Sequence, residues 1–128
     1  MAKNRFVSPN IERLPLSEGD WIEIKKQLTI ADQKRLEAAG LVPKLVDGKL
    51  FNVVDWTIHD IERAAIFITD WSLRGADDKP VAYSYDALKS VDTDTFTEIN
   101  QAILTYVLSQ ADAKKAQREM KTTTPPAE

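Results

Sequence analysis

The apolar positions along the chain change period several times, and each change marks an element. From Val53 to Leu73 the segment VVDWTIHDIERAAIFITDWSL is the most apolar in the sequence. Ile58, Ile61, Ala65 and Ile68 recur in it at steps of three and four, which places them on one face of a helix. Thr57 followed three residues later by Asp60 has the spacing of a capping box, so the pattern predicts a helix over 57–71. Ile66 and Phe67 fall off that stripe and give the helix a second apolar face. Nearer the start, IERLPL (11–16) and DWIEIKK (20–26) flank the turn formers SEGD. Trp21 and Glu23 alternate with Ile22 and Ile24, the period of a strand, and an antiparallel hairpin over 11–26 with Gly19 in its turn follows. Pro15 has no amide hydrogen to give and confines the first strand to an edge or an end.

Thr29 and Asp32 repeat the capping-box spacing, and Gly40 is a helix stop, so a short charged helix is expected over 29–39. Isolated helices of that length are marginal, and docking has to hold this one. Lys44 to Phe51 reads KLV-DG-KLF around a favoured two-residue turn, which gives either a second small hairpin or an exposed loop. RGADDKPVAYSY (74–85) is a loop by its Gly, Asp and Pro, and a short helical turn from Ser84 or Tyr85 to Val91 follows it. The final helix is expected over 92–112, with Asp94 and Glu98 near its positive end. Phe96, Ile99, Ile103, Tyr106 and Val107 form its main stripe, and Leu104, Leu108 and Ala111 a second one. Past Asp112 the sequence AKKAQREMKTTTPPAE is poor in large apolar residues. The expected organisation is a flexible arm (1–10), a single globular domain (11–112) and a tail (113–128) that frays and then loses order. The fold class is α+β: a small, mainly helical domain with an N-terminal antiparallel β-hairpin.

The totals narrow the function classes. A chain of 128 residues supports one core, and 43% hydrophobic with 29% charged residues is ordinary for a water-soluble domain. A net charge of -3 argues against a generic nucleic-acid partner. The absence of cysteine excludes disulfides, thiolate nucleophiles and Cys-ligated metals. No apolar run approaches the roughly 20 residues of a membrane span, and the polar start lacks a signal-peptide core, so a cytoplasmic protein is expected. His59 is the single histidine, which excludes His-pair chemistry; beside Glu62 and Arg63 it reads as a solvated surface residue. Asp77, Asp78, Asp92 and Asp94 lack the spacing of a calcium loop and suit turns and caps. Serines 17, 72, 84 and 90 have no adjacent base, and the four glycines form no phosphate loop. No catalytic residue, cofactor or metal is expected. Trp21, Trp56 and Trp71 each follow an aspartate, which disfavours phosphate-bearing ligands and favours core packing. That leaves the surplus apolar residues Ile66, Phe67, Leu104, Leu108 and Ala111. They are either buried within a tight helical core or presented to another protein or a second copy.

Two stretches carry a family resemblance. The segment RLPLSEGDWIEIKK (13–26), followed by Leu28-Thr29, resembles the start of the small tail assembly chaperones of long-tailed bacteriophages. Those proteins open with an apolar strand, a short acidic-Gly turn, a tryptophan and a strand ending in basic residues, then Leu-Thr and a helix. Asp70-Trp71-Ser72-Leu73, then Asp77-Asp78-Lys79-Pro80-Val81, Tyr85-Asp86-Ala87-Leu88 and Val91-Asp92, is similar to the family's second half. The similarity covers about residues 11 to 108, and Asp78 stands where the family often has glycine before Lys-Pro. The resemblance implies a non-enzymatic protein of the host cytoplasm, absent from the mature virion. It implies binding to the tape-measure protein, whose apolar helices it would shield, recruitment of the tail-tube protein, and self-association as a further possibility. On the charge balance and the apolar runs, neither a nucleic-acid nor a membrane partner is expected. Many members are made in a short form, which this length matches, and a frameshifted longer one. The alternative is a structural tail or head-tail joining protein retained in the virion; a small enzyme or nucleic-acid regulator fits the residues less well.

Overall fold

A computed structural model describes residues 10–122, with side-chain surroundings for 10–116. In order, the elements are β1 (Ile11–Pro15), β2 (Trp21–Lys25), α1 (Ile30–Ala38), β3 (Leu41–Val46), β4 (Lys49–Val54), α2 (Trp56–Phe67), β5 (Ile68–Trp71), α3 (Tyr85–Lys89) and α4 (Thr93–Thr122). The fold is α+β, with the antiparallel β1–β2 hairpin near its start. A single 3-10 turn, Ser17–Gly19, joins those strands, with Glu18 and Gly19 both in the left-handed region (φ 59° and 78°). Pro15 pairs with Trp21 at the end of an edge strand, where its missing N–H costs least.

The sheet has a third strand that the helical reading of 57–71 concealed. The chain leaves helix at Phe67, and Ile68–Trp71 pairs antiparallel with β2, giving the order β1-β2-β5. Ile66, Ile68 and Thr69 are β-branched, with Phe67 among them; such a run loses side-chain freedom in a helix and fits a pleated surface. The open edge of β2 supplies the partner. The cap also differs: Asp55 Oδ1, not Thr57, accepts from the Thr57 and Ile58 amides (3.0 and 3.2 Å), and Asp60 is free to pair with Arg63 (3.2 Å). A carboxylate at the cap adds its charge to the positive helix end, which a threonine cannot.

Ile22 and Ile24 from the inner face of β2 meet Ile68 and Trp71 of β5, Ala64 and Phe67 of α2, Leu88 of α3, and Ile99 and Ile103 of α4 in one core. The expected stripe on α2 is therefore rotated: Ile58 is exposed, Ile61 and Ala65 are half-buried, and Ala64 faces inward. On α4 the expected stripe faces the core, with Phe96, Tyr106 and Val107 packed around the buried Ile99 and Ile103. Asp92 caps α4 through the Thr95 amide (2.7 Å), and both oxygens of Glu98 receive Ser17, one from its amide and one from its hydroxyl, tying the hairpin turn to α4. Instead of ending near Asp112, α4 runs to Thr122. From Ala113 to Lys121 that stretch holds only Ala, Lys, Gln, Arg, Glu and Met, all strong helix formers. Residues 1–9 of the expected arm and 123–128 of the expected tail lie outside the described residues.

The first helix forms as its spacing predicts. Thr29 accepts from the Asp32 amide (3.1 Å) while Asp32 accepts from the Thr29 amide (3.2 Å), a complete capping box. Arg35 of α1 then reaches Glu62 of α2 (3.1 Å). Beyond Gly40 the DG turn closes a hairpin longer than KLV-DG-KLF suggests, β3 and β4 pairing from Leu41↔Val54 to Val46↔Lys49. Asp47 and Gly48 both take positive φ (51° and 75°), the mark of the tight turn that matches strand twist.

Candidate partner-binding surface

Two of the five residues singled out for partner contact are core. Ile66 is 1% exposed and Phe67 7%, and Phe67 packs into the core with β2, β5 and α4. Ile66 is closed off in the folded chain, while Phe67 keeps a small edge in a groove beside α4. Leu104 is half-buried, Leu108 is 56% exposed and Ala111 is exposed, so the second stripe of α4 opens progressively towards solvent. Ala111 lines an open groove of about 450 Å³ with Leu28, Phe67 and Val107. Along the other flank of α4, Leu14, Pro15, Ala102 and Tyr106 line a groove of about 630 Å³ beside the β1 edge.

Among the described residues, most of the exposed large apolar side chains lie elsewhere. The β3–β4 hairpin forms a sheet of its own, separate from β1-β2-β5. Cross-strand partners share a face, so Leu41/Val54, Pro43/Asn52 and Leu45/Leu50 make one side, and Val42/Val53, Lys44/Phe51 and Val46/Lys49 the other. Leu45 is 69% exposed and Leu50 71%, with Leu41, Val46, Phe51 and Val54 exposed as well. Trp56, 67% exposed, and Ile58 continue the apolar tract onto α2. Only Val42 and Val53 at the base are half-buried. A two-stranded ribbon is marginal in water without a third strand or a covering layer, and this one has apolar side chains on both faces. The sequence held the signal: nine of the twelve strand positions are apolar, and the three polar ones, Lys44 and Lys49 on one face and Asn52 on the other, leave neither face polar throughout.

The base of the ribbon is held firmly. Asp55 N–H donates to the Gly40 carbonyl (2.8 Å), and Gly40, at φ 77°, lies so close to α2 that an added Cβ would be 2.6 Å from the Asp55 oxygen. His59 belongs to this joint rather than to the solvated surface: its Nδ1 lies 3.2 Å from the Ala39 carbonyl. A carbonyl only accepts, so Nδ1 carries the proton. The ring also meets Trp56 edge-on at 5.3 Å between centroids. Of the other tryptophans, Trp71 is buried and its Nε1 donates to the Val81 carbonyl (2.6 Å), while half-buried Trp21 lies under Arg13 (3.9 Å). The exposed ring of Trp56 departs from the core role expected of all three.

Acidic and hydroxyl groups are engaged in structure. Ser72 Oγ donates to Asp20 (3.1 Å) and accepts from the Trp21 amide (2.9 Å), closing β5 onto the first hairpin. Asp77 accepts from the Lys79 amide (3.2 Å), and Asp78 holds φ 60°, a conformation that strains every residue less free than glycine. The Tyr85 hydroxyl bond, against some desolvation, and Arg35 together hold the Glu62 carboxyl below its ordinary range. Burial raises the Tyr83 phenol, whose hydroxyl donates to the Ala65 carbonyl (3.3 Å). Among the described residues no group of three or more His, Cys, Asp or Glu side chains is placed to hold a metal, and no helix is long and apolar enough to cross a membrane. No protein-family profile, curated protein or solved structure matches the chain.

Proposed function

We propose that this chain is a non-enzymatic tail assembly chaperone of a long-tailed bacteriophage, acting in the host cytoplasm by passive binding to the tape-measure protein. One observation carries the reading: an apolar ribbon, continued by Trp56 and Ile58, that the domain does not use for its own core. A tape-measure chain is long and rich in amphipathic helices, and its apolar stripes need cover until the tube closes around them. A helix laid across the Leu41, Leu45, Leu50 and Val54 face would bury apolar surface on both sides, the driving term in helix-in-groove recognition. Leu108 and Ala111 on α4 offer a second, smaller apolar site. Recruitment of the tail-tube protein is part of the same proposal.

The test is co-expression with the tape-measure protein of the same genome. Wild-type chain should keep it in the soluble fraction and co-purify with it. Leu45→Lys with Leu50→Lys should abolish both while the melting temperature stays within a few degrees, since exposed positions change stability by within about 0.5 kcal/mol each. Unchanged solubility and co-purification would sink the ribbon as the client site. A second reading, a tail or head-tail joining protein, draws on the same ribbon, because an open strand edge suits strand addition between neighbouring subunits. Mass spectrometry of purified virions separates the two: the chaperone is absent from them, the joining protein present at stoichiometric level. In the gene, a slippery run over the codons of Lys114 and Lys115 with an overlapping frame supports the chaperone.

A further inference from the structure

The two outer edges of the β3–β4 ribbon are not equivalent, and the difference assigns a partner to one of them. In an antiparallel pair, residues that bond each other alternate with residues whose N–H and C=O point away. The Asp55 amide bonds the Gly40 carbonyl (2.8 Å), which fixes the phase. Counting from there in the observed register, Val42/Val53, Lys44/Phe51 and Val46/Lys49 bond inward, and Leu41/Val54, Pro43/Asn52 and Leu45/Leu50 point their backbone groups outward. On β3 the central outward residue is Pro43, which has no N–H, so that edge is blunted. On β4 the outward residues Leu50, Asn52 and Val54 keep both donor and acceptor. Among the described residues no backbone bond joins them to another element.

We propose that the free edge of β4 pairs with β4 of a second copy, antiparallel about a two-fold axis through Asn52, giving a four-stranded sheet in the order β3-β4-β4-β3. The sequence of β4 is self-complementary in that register. Leu50 faces the partner's Val54, Phe51 faces the partner's Val53, and Asn52 faces its own counterpart, amide to amide. Lys49 comes opposite the partner's Asp55, and this charge match occurs twice by symmetry. Asp55 is able to receive it, because both of its cap bonds use Oδ1 and, among the described residues, Oδ2 has no partner. The neighbouring register, with its axis through Phe51, sets Leu50 against Asn52 and Lys49 against Val53, so it loses both the apolar match and the ion pairs. A closed two-fold contact also satisfies each edge once and stops, where a head-to-tail contact would propagate. The pairing concerns the strand edge and stands whether or not the faces take a tape-measure helix; it widens the apolar face rather than consuming it.

The chain has no cysteine, so single-cysteine variants report proximity cleanly. Asn52→Cys should cross-link to its own copy with a short bis-thiol reagent, and Leu45→Cys, on the blunted edge three strands from its counterpart, should not. Wild type should sediment as a dimer. Leu50→Lys should raise the dimer dissociation constant by about tenfold, because it removes the Leu50–Val54 cross-strand contact at both symmetry-related positions. Asn52→Pro repeats on β4 what Pro43 does on β3 and should give monomers whose circular dichroism and melting temperature stay close to wild type. A wild-type chain that is monomeric at hundreds of micromolar overturns the proposal. So does cross-linking that is equal at 45 and 52, or stronger at Phe51→Cys than at Asn52→Cys.

Discussion

Two glycines with nearly the same backbone angle have different work to do. Gly40 (φ 77°) and Gly48 (φ 75°) both occupy the left-handed region, where a Cβ is strained. At Gly48 the added Cβ would meet nothing within 4 Å, so Gly48→Ala should cost about 1 kcal/mol, the backbone term alone. At Gly40 it would lie 2.9 Å from both the His59 amide and the His59 Cβ, besides the Asp55 carbonyl. Gly40→Ala should therefore cost more than about 2 kcal/mol, strain and clash together. Urea unfolding of the two variants side by side measures the difference; equal losses would mean that the joint between the ribbon and α2 is looser than its geometry. The sequence marked Gly40 as a helix stop and Gly48 as a turn. It could not mark the close approach, which depends on where α2 returns.

At the scale of elements, what the chain order makes local was readable and what it makes distant was not. The Thr29/Asp32 cap, the DG turn and the β1–β2 alternation are set by neighbours within a few residues, and all three form. The third strand was not readable, because Ile68 continues the helical phase of Ile58, Ile61 and Ala65 while its pairing partner Ile24 lies more than forty positions earlier. For Ile66 and Phe67, offered as core or as partner surface, the sequence left the choice open for the same reason: a periodicity does not say which face a remote strand will cover. The exposed end of the Leu104, Leu108 and Ala111 stripe was offered as one of two alternatives, and the ribbon was visible as a hairpin but not as a surface. Ion pairs that join α1 to its neighbours give a pH test. Desolvation pushes the Asp32 carboxyl up, but the Thr29 bonds and Lys25 (3.1 Å) outweigh it, leaving it below its ordinary value. Glu62 is lowered as well, by Tyr85 first. A group whose folded value is depressed contributes stability above its unfolded value and loses it as pH falls through the folded one. The melting temperature should thus hold at neutral pH and drop as the solution is acidified through and below the ordinary carboxylate range. Glu62→Gln should lower the neutral-pH plateau and make that drop shallower; an unchanged acid slope would remove Glu62 from the account.

Taken whole, the molecule separates what holds it together from what it presents. The core joins residues 22 to 103, from β2 through α4, and contains nothing from the ribbon. The ribbon carries Lys44 and Lys49 against Asp47 in a chain of net charge -3. Because Gly40 and Asp55 are hydrogen-bonded neighbours (2.8 Å), the fourteen residues between them, 41–54, leave and rejoin the body at one point. In topological terms the ribbon is an insertion: it can be cut out without rerouting any strand of the core sheet. Replacing 41–54 by a short Gly-Ser bridge should leave a folded, monomeric domain with a cooperative melt, since closing so small a gap costs little chain entropy. Loss of the cooperative transition would show that the body needs the ribbon. If the domain survives, the same seat at Gly40 and Asp55 will accept other hairpins, and binding specificity in this fold becomes a property that can be exchanged independently of its stability.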